Sequence, residues 1–383
     1  MSELVKPSTS ASLTAQPGFF ATLRKDYFFW TLLAVLALLT ALNPRAIVSY
    51  PKLVDWPTIA ALTGLLILTK GVELSGYLDG LARRLAARMP TERALGLFLV
   101  LASALLATVL TNDIALFIVV PLTLSLRLLA PLPIARLIVF EALAVNTGSA
   151  LTPIGNPQNL FLWHLSQTSF VAFTLAMLPL AGLLMGLLVL LAALAFSGNK
   201  IHLATETTAI DAQRPLLTTS LALYLPFLVL LNLRMPVAAL LLVLAVYLFA
   251  FRRVVANVDW GLIAVFILMF IDLRLLADLP IVQDAMRRID LGQTRTLFVV
   301  SALSSQFISN VPAAILLAEY SDDWRVIAYG VNVGGFGLAV GSLANLIALR
   351  MASGEKIWSQ FHIYSIPFFV ATAAVVSTLI VLP

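Results

Sequence analysis

The sequence predicts an all-α polytopic membrane protein, built as an inverted repeat with about nine crossings, two re-entrant hairpins and two broken helices. Three observations predict it. The chain is 61% hydrophobic and 11% charged over 383 residues, and its mean hydropathy of +0.99 lies far outside the soluble globular range. Its apolar runs are spaced as membrane helices, and roughly 20 residues per crossing allow about ten segments. Its polar motifs occur twice, in the same order.

Composition also excludes. The chain has no Cys, which removes disulfides, thiolate metal sites and cysteine nucleophiles. Its three His, His164, His202 and His362, are scattered without metal-ligand spacing and read as interface or loop residues. The sequence pI near 9.6 comes from Lys and Arg spread through short loops, so it reads as a topology signal and nucleic acid is not an expected partner.

Taken in order, residues 1–26 are polar and read as a retained cytoplasmic segment ahead of the run YFFWTLLAVLALLTAL at 27–42. The first repeat is expected over 27–196, with a hairpin at 93–130 and a broken helix at 135–163. Residues 197–235 form a connecting loop and a linking span. The second, inverted repeat is expected over 236–383, with a hairpin at 296–320 and a broken helix at 324–350. Two segments, 71–89 and 274–289, mix apolar residues with Arg and Asp at helical spacing, which suits helices lying in the interface.

The repeat is legible residue by residue. Val54, Asp55 and Trp56 recur as Val258, Asp259 and Trp260, and Thr111 and Asn112 recur as Ser309 and Asn310. Asn146, Gly148, Gly155 and Asn159 recur as Asn332, Gly334, Gly341 and Asn345 at one constant offset of 186. Internal repeats of this kind characterise secondary transporters. With the N-terminus cytoplasmic, about 16 of the 24 Lys and Arg fall inside, as the positive-inside rule requires. Trp56 then enters from outside and Trp260 from inside, so the halves are inverted.

Polar residues at bilayer depth carry the functional signal. LLATVLTNDIALFIVV (105–120) sets Asn112 and Asp113 between long apolar arms, and an ionised Asp there costs about 2.5–3.5 kcal/mol unless it faces protein, water or an ion. The tip is either a short turn at the membrane surface or a re-entrant hairpin that stops inside. The shorter arms around SSQFISNVPAAILL (304–317) favour the re-entrant reading. NTGSALTPIGNPQN (146–159) and VNVGGFGLAVGSLANLIALR (331–350) break runs otherwise long enough to cross. Such breaks are tolerated only where protein buries them or water lines them; the alternative is a kink that merely shapes a helix. Free N–H groups at a half-helix start suit anions, and free carbonyls at a half-helix end suit cations. Glu141 and Asp272 are further intramembrane candidates.

These motifs together resemble the ion transporter superfamily that contains arsenite permeases, sodium/proton antiporters of the same fold, and the citrate and divalent-anion symporters. The resemblance runs from about residue 50 to the end, is most specific at PIGNPQN, and is closest to the YbiR-like inner-membrane branch of anion transporters. It implies a bacterial-type inner membrane location and a homodimer that pairs through its scaffolds. It further implies that Thr111 and Asn112 with Gly148, and Ser309 and Asn310 with Gly334, hold ions and substrate, while a transport domain moves against the scaffold. Around them, the substrate-binding candidates of the first half are Asn146, Thr147, Thr152, Asn156 and Asn159. Those of the second half are Asn332, Gly335, Ser342 and Asn345. The ion-coupling candidates are Asp113, Asn112, Gly148, Asn310 and Gly334, with Na+ expected at Thr111, Asn112, Asp113 and Gly148.

The departures matter. Asp113 stands where the symporters have Thr, and Val311 and Pro312 follow the second tip. One tip has gained a carboxylate and the other has lost a hydroxyl, which disfavours a multivalent anion beside Asp113 and brings the pattern nearer to the arsenite permeases. The leading expectation is a transporter of a small oxyanion or carboxylate, with Na+ or H+ as coupling ion and no other cofactor. A cation/proton antiporter of the same fold is the alternative, and a passive channel ranks below it. Enzyme activity is not expected, because no Ser-His pair, paired Asp or His-rich span appears, and no ATP-binding Gly-rich loop is present.

Overall fold

The computed structural model describes residues 27–379, apart from 78–79, 82–83, 85–87, 128–130, 202–211 and 353–354. The segment 1–26, seven residues of the expected interface segment 71–89, and His202, all used in the reading above, lie outside the described residues. The first half contains α1 (Tyr27–Leu42), α2 (Trp56–Leu74), α3 (Glu92–Val109), α4 (Asn112–Leu126), α5 (Ile134–Ser149), α6 (Pro157–Ser166) and α7 (Phe170–Ala195). Two spans, α8 (Arg214–Asn232) and α9 (Pro236–Ala250), follow. The second half contains α10 (Trp260–Ala277), α11 (Pro280–Arg287), α12 (Thr294–Ile308), α13 (Asn310–Ala318), α14 (Trp324–Val333), α15 (Leu343–Ala352) and α16 (Glu355–Leu379).

Local sequence explains where these helices start. Thr91, Asn156, Ser169, Asp259 and Asp323 each accept a backbone N–H of the first turn they precede, which satisfies a donor that the helix itself cannot. Proline opens α6 and α9 where its missing N–H is harmless. α1 turns through 119° into the short run Pro44–Leu53, at the Asn43–Pro44 step where proline disfavours continued helix.

Six described helices are long and apolar enough to cross a membrane, or seven if the bent first pair counts as one span. Among them α3 is a hairpin arm, because the chain turns back at Thr111. The remaining expected crossings are shorter pieces: α9 has 15 residues, and each broken helix reaches across only as two halves, α5 with α6 and α14 with α15. α13, at 9 residues, is about 14 Å long and cannot span alone.

The two segments expected in the interface end differently. α2 continues through Leu74 and α10 through Ala277, so residues 71–74 and 274–277 belong to the spans. Their charges are neutralised locally. Lys70 donates to both oxygens of Glu73 at 2.9 and 3.0 Å, and Arg274 donates to Glu319 and to the Leu53 carbonyl at 2.9 and 2.7 Å. A paired charge no longer forces a helix out of the apolar layer, which is why charge pattern misplaced these boundaries.

α3 packs along α5, and α12 along α14. Glycine permits both approaches. A Cβ on Gly148 would lie 2.0 Å from the Ala104 carbonyl oxygen, and one on Gly334 would lie 2.6 Å from that of Ala302; small residues at such contacts let membrane helices touch backbone to backbone. The entry to each repeat is also built alike. Trp56 donates its indole N–H to the Pro51 carbonyl at 2.8 Å, and Trp260 donates to that of Val255 at 3.0 Å.

Candidate functional site

The site is where the two breaks cross and the two hairpin tips approach them. At the first tip α3 stops at Val109 and α4 starts at Asn112. The Asn112 backbone N–H donates to the Gly155 carbonyl at 2.9 Å, binding tip to break. Thr111, Asn112 and Asp113 are all buried. Asn112 Oδ1 accepts the Asp113 N–H at 3.0 Å, while Asp113 Oδ1 meets no donor among the described residues.

The second tip turns at Ser309, whose backbone sits at φ 73°, ψ 157°. That region is essentially reserved for glycine and costs a side-chain-bearing residue about 1–3 kcal/mol. α13 begins at the next residue, Asn310. A Cβ on Gly335 would lie 3.4 Å from Asn310 Nδ2 and 3.6 Å from Asn146 Oδ1, so this tip reaches the backbone of its own break beside an asparagine of the other.

The breaks interlock through four buried asparagines. Asn146 Nδ2 donates to Asn345 Oδ1 at 2.8 Å, and Asn332 Nδ2 donates to Asn159 Oδ1 at 2.8 Å. These bonds join repeat-related positions crosswise, so one is the image of the other. The same holds further out. Ser342 Oγ donates to Asn146 Oδ1 at 2.9 Å, and Asn156 Nδ2 donates to Asn332 Oδ1 at 3.0 Å. Asn159 Nδ2 donates to the Ser149 carbonyl at 3.3 Å, and Asn345 Nδ2 donates to that of Gly335 at 2.8 Å.

These bonds show how broken backbone is kept satisfied. Asn159 also donates to the Ala150 and Thr152 carbonyls at 3.1 and 3.2 Å, so several acceptors freed by the end of α5 are already engaged. Thr152 Oγ1 donates to the Thr108 carbonyl at 2.6 Å, and Thr108 Oγ1 donates to that of Gly148 at 3.1 Å. In the second half Gln306 Nε2 donates to the Gly334 and Phe336 carbonyls at 2.7 and 2.9 Å.

Of the residues singled out from sequence, the four asparagines, Asn156 and Ser342 meet in one network, and Asn112 and Asn310 approach it from the tips. Thr147 is apart: its hydroxyl donates to Leu143 in its own helix at 2.9 Å. Glu141 lies deeper along α5, where its Oε1 accepts the Thr123 hydroxyl and its Oε2 meets no donor among the described residues. Asp272 is buried in α10 with both oxygens unpartnered among the described residues. His164 is buried at the end of α6, and His362 accepts the Ala339 N–H at 3.3 Å.

Sequence reasoning missed Thr108, Gln306 and Gln158. Thr108 and Gln306 hold equivalent glycine carbonyls, but a hydroxyl and an amide do not align by identity; their equal distance before the two tip asparagines was the available signal. Gln158 is buried, with Oε1 free of any described donor, and stood in plain view within PIGNPQN.

Comparison with known proteins agrees with this architecture. The citrate transporter family profile matches residues 23–322. The chain is 48% identical over 364 residues to inner membrane protein YbiR of Escherichia coli, covering 95% of this chain and 98% of that one. It is 32% identical over 330 residues to the uncharacterised transporter MJ0456 of Methanocaldococcus jannaschii, covering 85% and 89%. Among solved structures it is similar in fold to the YdaH transporter of Alcanivorax borkumensis, with a TM-score of 0.58 at 14% identity over 93% of this chain and 98% of that one.

Proposed function

As the chain belongs to the citrate transporter family, we propose that it is a secondary active transporter that carries a small oxyanion or carboxylate across the inner membrane, driven by Na+ or H+. The observation that carries this reading is the crosswise asparagine network, which makes two broken helices into one polar centre. The starts of α4, α6, α13 and α15 lie at the tips and breaks that form that centre, and half-helix starts favour negative charge. The two tips and the breaks at 146–159 and 332–345 contain no Lys or Arg. The substrate is therefore held by amides, hydroxyls and helix ends, which suits an anion of low charge.

Asp113 is the coupling residue in this reading. It is the one carboxylate at either tip, it is buried, and one oxygen lacks a donor. A proton or Na+ there removes the negative charge that would repel the substrate, so ion and anion bind together and leave together. With Na+, Thr111, Asn112 and the Gly148 carbonyl complete the set. The same carboxylate, which forms no ion pair among the described residues, favours a cation/proton antiporter as the second reading.

The test is flux into liposomes containing the purified full chain, with radiolabelled arsenite and citrate as probes under imposed Na+ or pH gradients. Wild type accumulates a probe above equilibrium, and Asp113→Asn retains exchange but loses the gradient dependence. Gradient dependence that survives in Asp113→Asn removes the coupling role. Cation-for-proton exchange without anion uptake selects the antiporter.

A further inference from the structure

Three carboxylates, Asp113, Glu141 and Asp272, are buried among the helices with at least one oxygen that meets no described donor. The internal repeat supplies a control for each. Val311 follows the second tip asparagine as Asp113 follows the first, Ile327 lies opposite Glu141 at the spacing of the broken helices, and counting from Trp260 as from Trp56 puts Leu68 opposite Asp272. All three counterparts are buried. The same fold thus packs with an aliphatic side chain at each place, and the acid is not what joins the helices. A half-satisfied buried acid costs stability, and its retention where the sister repeat avoids that cost points to use.

Glu141 has the best-defined surroundings. It is fully buried at mid-α5, against which α3, α4, α7, α15 and α16 pack. Five residues separate it from Asn146, about 7.5 Å along the axis, and ten separate its partner Thr123 from Asp113, about 15 Å. The pair therefore lies between the crossing and the membrane face where α4 and α5 join.

The charged and titratable groups described on the packed elements are exposed or have contacts other than Glu141. Glu92 of α3 lies 3.9 Å from Arg136, and Arg93 donates to the Phe196 carbonyl at 3.1 Å. Asp113 begins α4, and Arg127 just beyond it is exposed, as are Arg350 of α15 and Lys356 of α16. Glu355 shares the first turn of α16 with Lys356; His362 bonds to Ala339 and Trp358, and the Tyr364 ring lies 5.1 Å from that of Phe140. α7 carries no charged residue. Among the described residues no charged group bonds to Glu141, whose one side-chain partner is Thr123.

We propose that Glu141, held by Thr123, is a second proton-binding station of the transport cycle, set between the Asp113 tip and the membrane face at the α4–α5 turn. This rests on the transporter reading. Uptake forms one O–H bond at Oε2 and release breaks it, while Thr123 goes on donating to Oε1.

The experiment uses the full chain in liposomes without substrate. Infrared difference spectra between acidic and alkaline buffer should show a carboxyl C=O component that is absent in Glu141→Gln, shifted in Thr123→Val and retained in Asp113→Asn. Charge displaced by a pH jump on a supported membrane should fall about twofold in Glu141→Gln, as for two acids titrating in series. An unchanged infrared band in Glu141→Gln overturns the site. A lost band with unchanged charge displacement overturns its part in the cycle. If Glu141→Gln does not fold, Glu141→Ile with Thr123→Val carries both readouts, since an isoleucine already fills the equivalent place. Failure of the transporter reading shows separately, as wild type that accumulates no probe while its spectra still report on Glu141.

Discussion

At the scale of single residues, Ser309 is the sharpest structural signal outside the network. Its backbone lies where glycine belongs, and such strain persists only where the surroundings impose it, commonly at ligand sites. Ser309→Gly should raise the thermal unfolding midpoint in detergent. The gain is about 1 kcal/mol, because relief of strain is partly offset by the greater freedom of glycine in the unfolded chain. Gradient-driven flux should fall in the same variant through loss of the hydroxyl at the tip. Ser309→Val should lower the midpoint, and a glycine variant less stable than wild type would mean that the serine contributes more than its geometry costs. Nothing in the sequence announced this strain, since serine is an ordinary turn residue.

At the scale of elements, the two broken helices are one unit rather than two. Asn146→Ala and Asn345→Ala remove the same hydrogen bond, so their effects on stability should be non-additive by about 0.5–3 kcal/mol in a double-mutant cycle. The image pair Asn332 and Asn159 should show a coupling of similar size. Additive effects at both pairs, measured by chemical unfolding in detergent, would mean that the crossing does not hold the breaks together. Much of this was legible: the hairpin turns, both breaks and their partnership follow from glycine, proline and asparagine placed where a helix should continue. The ends of the spans at Leu74 and Ala277, where the interface segments were expected to begin earlier, were not. Arg274 reads as a surface charge until Glu319 is seen beside it, and Glu319 lies 45 residues from Arg274. The pairing of Glu141 with Thr123 across two helices was hidden in the same way.

At the scale of the whole molecule, the inverted repeat predicts that the loops before Trp56 and Trp260 face opposite sides of the membrane. The chain has no Cys, so single cysteines report without background. Val48→Cys and Arg253→Cys, both exposed, should react with an impermeant thiol reagent from opposite sides in oriented vesicles. Labelling from the same side would refute the inversion.

The sequence by itself determined that this chain lives among lipids, that it is doubled, and where its helices break, because hydropathy, spacing and poor helix formers are properties of local sequence. Only the tertiary structure decided which asparagine meets which, that Thr108 and Gln306 hold equivalent carbonyls, that Ser309 is strained, and that Glu141 has a partner on α4. Those facts depend on approaches between residues far apart in the chain, fixed by glycine contacts and by the need of every broken backbone group for a hydrogen bond where no water is at hand.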